Sequence, residues 1–163
     1  MNQIEKYFTA EKYESILFVM TGVIAISFAV YFLVRLRQPF FNGVAYPLMV
    51  IALIQIAVGS SVYFRSPKDT ARVNEMFQNE KARISTGEIP RMEQVMRNFE
   101  IYRWVELALL VAGAILFFSF QPMTFWKGTG PGLFIQAGFM LLLDFFAESR
   151  GKVYLEFLRS LHP

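Results

Sequence analysis

Residues 15–34, SILFVMTGVIAISFAVYFLV, hold no charged side chain. At about 1.5 Å per residue, twenty residues rise about 30 Å, the thickness of a bilayer's hydrocarbon core, so the stretch reads as a spanning helix. Residues 44–64, 104–120 and 131–147 repeat the pattern, and Glu106 and Asp144 are the only formal charges inside any of the four. Backbone groups in lipid have no water to bond and must satisfy one another within each segment. The expectation is an all-α polytopic membrane protein, a four-transmembrane-helix bundle of two antiparallel hairpins with helical cytoplasmic extensions. Residues 1–163 then form one membrane domain, with a cytoplasmic stalk over about 66–103 and 148–161.

Composition agrees: 55% of the chain is hydrophobic and its mean hydropathy is +0.38, above the usual range of soluble domains. There is no cysteine, which removes disulfides, thiolate metal sites and cysteine nucleophiles. Lys6 and Lys12 before an apolar run raise the question of a signal peptide. The run is too long for one and ends in Arg35, Leu36 and Arg37 instead of small residues, so it reads as a retained helix.

The net charge of +3 would suit nucleic acid, but the cations are sorted by topology. Of the sixteen, thirteen fall at the termini or between residues 65 and 103, while Arg35, Arg37 and Lys127 lie on the other side. Both termini and the middle connection are therefore expected in the cytoplasm of a cell with a bacterial-type inner membrane, and nucleic acid is not expected as a partner.

Residues 37–43 (RQPFFNG) and 121–128 (QPMTFWKG) share proline, aromatics and glycine and read as tight turns at the opposite surface. The glycine-rich residues 128–132 (GTGPG) read as part of the second turn. Residues 21–28 (TGVIAISF) echo 112–120 (AGAILFFSF), with Glu14 and Glu106 upstream of Gly22 and Gly113, which hints at an internal duplication. In the middle connection Ser66, Pro67 and Asp69 read as a helix start, Thr86 and Gly87 as a stop, and Ile89 and Pro90 as a second start. From Pro90 a seam of Met92, Val95, Phe99, Tyr102, Glu106, Leu109 and Gly113 predicts one helix to Phe120. Tyr154, Leu155, Phe157 and Leu158 extend the last helix past Ala147 in the same way.

The candidate site is a set of ionisable residues at one end of the helices: Glu14, Arg65, Arg103, Glu106, Asp144 and Glu148. A carboxylate in a membrane segment costs on the order of 3 kcal/mol at the centre, so it faces partners or a wet cavity. The acids are expected either to bind a cation or small ligand, or to pair with arginines in a structural belt. Thr21, Gln55 and Gln136 mark a polar bundle face. Ala52, Gln55 and Gly59 of the second helix are expected to meet Gly132, Gln136, Met140 and Asp144 of the fourth.

His162 is the only histidine, which excludes histidine-ligated di-iron and haem sites; no metal or other cofactor is expected. Phosphate-loop, serine-hydrolase and zinc-protease motifs are absent. Of the 27 aromatics, most suit lipid-facing packing, and phenylalanine walls also suit an apolar ligand. The leading expectation is a non-enzymatic protein binding or passing a small ligand or cation, as a homo-oligomer in the lipid bilayer. One alternative is an enzyme acting on a lipid head group, which needs an open cleft. Another is an accessory subunit docking a cytoplasmic protein through its stalk, which requires Met92, Met96 and Phe99 to be exposed.

Overall fold

Four long helices account for nearly all of the chain in the computed structural model, which describes residues 3–79 and 82–161. They are α1 (Gln3–Tyr31), α2 (Pro39–Asn79), α3 (Ile89–Ser119) and α4 (Phe125–Ser160), and no strand occurs among the described residues. Each is long and apolar enough to cross a membrane. Their most apolar windows are only 17, 28, 11 and 28% buried, so most of that surface faces outward.

The helices do not stop where the apolar stretches do. α2 holds Pro47 and Pro67 in its interior and runs for 41 residues. Ser66 is therefore not a cap: its hydroxyl donates to the Phe8 carbonyl of α1 at 2.8 Å, tying the two helices where Pro67 removes a backbone donor. Gly87 does not end a helix with a left-handed turn either, because no glycine has positive φ. Residues Ile84–Glu88 instead form a wide π-type turn leading directly into α3. The left-handed positions are Arg37 (φ 50°) and Met123 (φ 64°), one in each of the other two connections. Thr124 caps α4, its hydroxyl accepting from the Lys127 amide at 3.4 Å, so α4 begins before the glycines.

That correction reorganises the molecule, since residues 128–132 lie within α4 and not in a turn. At Gly128 the nearest neighbour is the Phe40 carbonyl of α2, and at Gly43 it is the Phe125 carbonyl of α4. Each phenylalanine stands three residues before the glycine of its own helix, so the crossing is reciprocal. Gly132 packs on Val44 and Pro47, which makes Gly128 and Gly132 a small-residue face four apart. Gly130 points the other way: an added Cβ would stand 2.6 Å from the Gly113 carbonyl of α3.

Backbone approaches order the helices as α1, α2, α4, α3; α1 and α3 meet only through side chains at the termini end, where Arg91 lies over Phe8. Gly22 meets Ala52 and Ile56 of α2, and Gly59 meets Ser15, Phe18 and Val19 of α1. Ala52 and Gly59 thus serve α1 and not α4, contrary to the face read from the sequence. Gly22 lies 15 residues before Arg37 but Gly113 only 10 before Met123, so the two glycines occupy different heights. The structural correspondence between halves is the pair of Phe-x-x-Gly segments.

At the end carrying the termini, Ile4, Tyr7 and Phe8 of α1 pack with Val73, Ile84, Met92, Tyr154, Leu155 and Leu158. Met92 is fully buried, Phe99 half-buried, and the Met96 methyl packs against Gly151, so these side chains offer no ready docking surface. On α3, Tyr102 is exposed while Arg103 and Leu107 turn toward α4, because a strict seven-residue seam drifts around a straight helix.

A side chain at Gly128 or Gly43 has no room against backbone, whereas Gly87 has nothing within 4 Å of an added Cβ. Gly128→Leu is expected to abolish the thermal unfolding transition in detergent or lower its midpoint sharply, and Gly87→Ala to raise stability by about 0.5 kcal/mol. A Gly128→Leu protein as stable as the parent would contradict the crossing.

Candidate functional site

Charge at the termini end resolves into three settings. In the first, ions pair. Glu14 meets Arg150, and Arg65 meets Asp69 at 3.0 Å and Glu11 at 3.7 Å. Glu148 accepts from Arg103 at 3.2 Å and from Lys152 at 2.7 Å. Four of the six expected site residues, Glu14, Arg65, Arg103 and Glu148, thus belong to ion pairs tying α1 to α4, α1 to α2 and α3 to α4.

The second setting is a groove between α3 and α4 of about 460 Å³. Arg103 and Glu148 stand at its termini end, and Glu106 and Asp144 lie one turn deeper. Phe99, Leu107, Leu141, Leu142 and Phe145 make its walls, and Gly138 leaves part of one side open. Glu106 is 1% exposed, and as a carboxylate it has no hydrogen-bond donor among the described residues; its one polar partner is the Asp144 carboxyl, which it can bond only when one of the two acids carries a proton. Arg103, three residues away, is engaged by Glu148 instead. The neighbour across the groove is another acid, Asp144. Two buried acids this close are costly when both are charged, and sharing one proton is the form that lowers the cost.

The third setting had no signal in the sequence. Glu88 is fully buried in the turn before α3, and its carboxylate accepts from Arg91 at 2.6 and 2.9 Å, Arg72 at 3.3 Å and the Tyr154 hydroxyl at 3.4 Å. Arg72 continues to Asp69 at 3.1 Å. The Tyr7 and Tyr154 rings stack at 4.1 Å, and Arg91 and Arg150 lie over Phe8 and Tyr7. Burial pushes both tyrosines well above their ordinary values. Burial also opposes the Arg91 charge, but the Glu88 hydrogen bonds and charge outweigh it and hold the guanidinium above its usual range. A glutamate before a proline-led helix looks like an ordinary N-terminal acid, and only the packing of all four helices reveals it as a hub.

Of the polar face, Gln136 donates to Gln55, joining α4 to α2 with both side chains buried. Thr21 donates to Leu17 and Phe18 of its own helix. The three therefore form no continuous line. His162 lies outside the described residues, and no cluster of three or more metal-ligand side chains occurs among those described. The chain matches no family model, no curated protein and no solved structure.

The two buried glutamates should respond oppositely to removal. Glu88→Gln leaves Arg91 short of its counter-charge and is expected to cost about 3 kcal/mol. Glu106→Leu removes a buried acid whose one polar partner is a second acid and is expected to stabilise by about 1 kcal/mol. Unfolding midpoints in detergent check both, and a large loss in Glu106→Leu would reveal a structural partner for Glu106.

Glu11 supplies a pH dependence. Burial raises its carboxyl above the ordinary 4.5, against Arg65, Arg91 and Arg150, which lower it, and with Asp69, which adds to the rise. The native state then binds the proton more tightly than the unfolded one. The resulting stability is fully present below the unfolded value and lost as pH rises through the folded one. Glu11→Gln is expected to be more stable than the parent at neutral pH, with the difference shrinking toward acid. A difference independent of pH would contradict this.

Proposed function

We propose that the chain is an integral membrane protein whose two antiparallel hairpins cross a bacterial-type inner membrane with both termini and residues 65–103 in the cytoplasm. Within it, the groove between α3 and α4 binds a small ligand through a cationic or hydrogen-bond-donating group. Four outward-facing apolar helices support the first part, because monomeric soluble proteins rarely leave apolar patches of that size in water. The sorting of cations supports the orientation.

The single observation carrying the binding reading is Glu106, a buried carboxyl group that opens onto a cavity and has no neighbour among the described residues to bond it but a second acid, Asp144. Asp144 would be the second acceptor. Arg103 and Glu148 would close the termini end, and Glu14 and Arg65 would act through the ion pairs that tie α1 to α4 and to α2. Binding is preferred to passage because Gln136 bonds Gln55 between α2 and α4, away from the residues that line the groove. It is preferred to head-group catalysis because the arginine that would hold a phosphate, Arg103, is engaged by Glu148. The groove lies within one chain, so binding does not require an oligomer.

The absence of cysteine makes orientation directly testable. A lone cysteine at Gln121→Cys should react with an impermeant maleimide in intact cells, and one at Glu93→Cys only after lysis. For binding, n-butylammonium at about a hundredfold excess over its Kd should stabilise the purified protein by about 2.7 kcal/mol. Glu106→Gln and Asp144→Asn should lose that response, and Lys6→Gln should keep it. No response in the parent, or an equal one in Glu106→Gln, would dispose of the reading.

A further inference from the structure

A second cavity, of about 260 Å³, lies farther along the same two helices toward the turn. Its α4 lining is Pro131, Phe134 and Ile135, and the groove continues on that helix with Gly138, Leu142 and Phe145. Pro131, Ile135, Gly138, Leu142 and Phe145 recur at steps of four and three, which is one face of one helix. On α3 the face runs from Glu106 and Leu107 to Gly113, Ala114 and Phe117. The two cavities are thus segments of one furrow. They meet where Gly138 faces Leu110, and a Cβ added there would still be 4.0 Å from the leucine methyl. Three glycines, Gly113, Gly130 and Gly138, remove side chains along its length.

Chemistry is ordered along this furrow. Nearest the termini is the Arg103, Glu148 and Lys152 ion cluster, then Glu106 with Asp144, then apolar surface only. A zwitterionic phospholipid, whose phosphate lies deeper than its ammonium, would set its phosphate against the acids. A single positive charge joined directly to a hydrocarbon chain matches the order.

We infer that the furrow holds a single-chain amphiphile with an ammonium head, a long-chain amine drawn laterally from the bilayer, its nitrogen at Glu106 and Asp144 and its tail running to Phe117 and Ile135. This rests on the binding reading above and adds the tail. Glu106 and Phe117 are eleven residues apart, about 16 Å along the axis, which an extended chain of roughly twelve carbons spans. At the junction of the two cavities Gly138 faces Leu110 with room to spare, so a bulky side chain at 138 would block a chain passing from one to the other.

The test uses the full chain in proteoliposomes with dodecylamine carrying a diazirine at the end of its tail, followed by peptide mapping. Label is expected around Phe117 and Ile135, reduced roughly tenfold or more by Glu106→Gln. Gly138→Phe, which fills the junction, should abolish the same label while n-butylammonium still stabilises that variant, showing that it is folded and its acids accessible. If n-butylammonium binds through Glu106 but the tail labels lipid-facing positions, the amphiphile assignment is overturned and the binding reading stands. If n-butylammonium fails as well, both fall. Equal labelling by uncharged dodecanol, indifferent to Glu106→Gln, would place an ordinary lipid tail in the furrow and overturn the assignment. Absence of label there, as when a second copy of the chain fills the furrow, would also overturn it.

Discussion

The carbonyl oxygens of Phe40 and Phe125 each rest against a glycine of the opposite helix, and the order of the four helices depends on that contact. Close van der Waals contact between helix backbones needs small residues at the crossing. Gly43 and Gly128 bring α2 and α4 together backbone to backbone. With these two in the middle, α1 is held on one side by Gly22 and Gly59, and α3 on the other by Gly113 and Gly130. The result is a row, α1, α2, α4, α3, in which the α3 backbone comes close to α4 alone and its side chains reach α1 and α2 only at the termini end. Along the apolar stretch α3 is an edge helix beside a lateral furrow, and Glu106 lies in that furrow.

Away from the crossing the glue changes character. At the turn end the contacts are small side chains, Ala25, Ala29, Ala45 and Ala52 among them. At the other end they are large apolar rings and a buried ionic hub on Glu88. A hub of this kind contributes little net stability compared with an apolar core but is intolerant of losing one member, so its value is in fixing register. Glu88 connects the turn before α3 with α2 through Arg72 and with α4 through Tyr154. It thus ties the start of α3 to α2 and α4 at the termini end.

How legible each part was depended on the range of the interaction behind it. The apolar stretches, the α3 helix from Pro90 and the extension through Leu158 follow from composition and period, which are local. The glycines at 128–132 read as a turn because Gly and Pro are local punctuation, whereas here Gly128, Gly130 and Gly132 are contact surfaces within a long apolar helix. Ser66 and Pro67 misled for a related reason: tertiary bonding to Phe8 carries α2 through a local break signal. Glu106 and Asp144 stood out as acids in apolar runs, while Glu14, Arg65, Arg103 and Glu148 looked equivalent to them. Only their partners distinguish the two groups.

Sequence by itself determined that the chain forms four long apolar helices, which way its charge is distributed and which acids are costly, because hydrophobicity and period are properties of consecutive residues. Tertiary structure decided which helices touch, that α3 stands at an edge, that Glu88 is a hub and that Glu106 has only a second acid to bond. Those outcomes turn on distances between residues as far apart as 43 and 125 or 88 and 154, and on whether a carbonyl, a guanidinium or empty space lies opposite a given side chain.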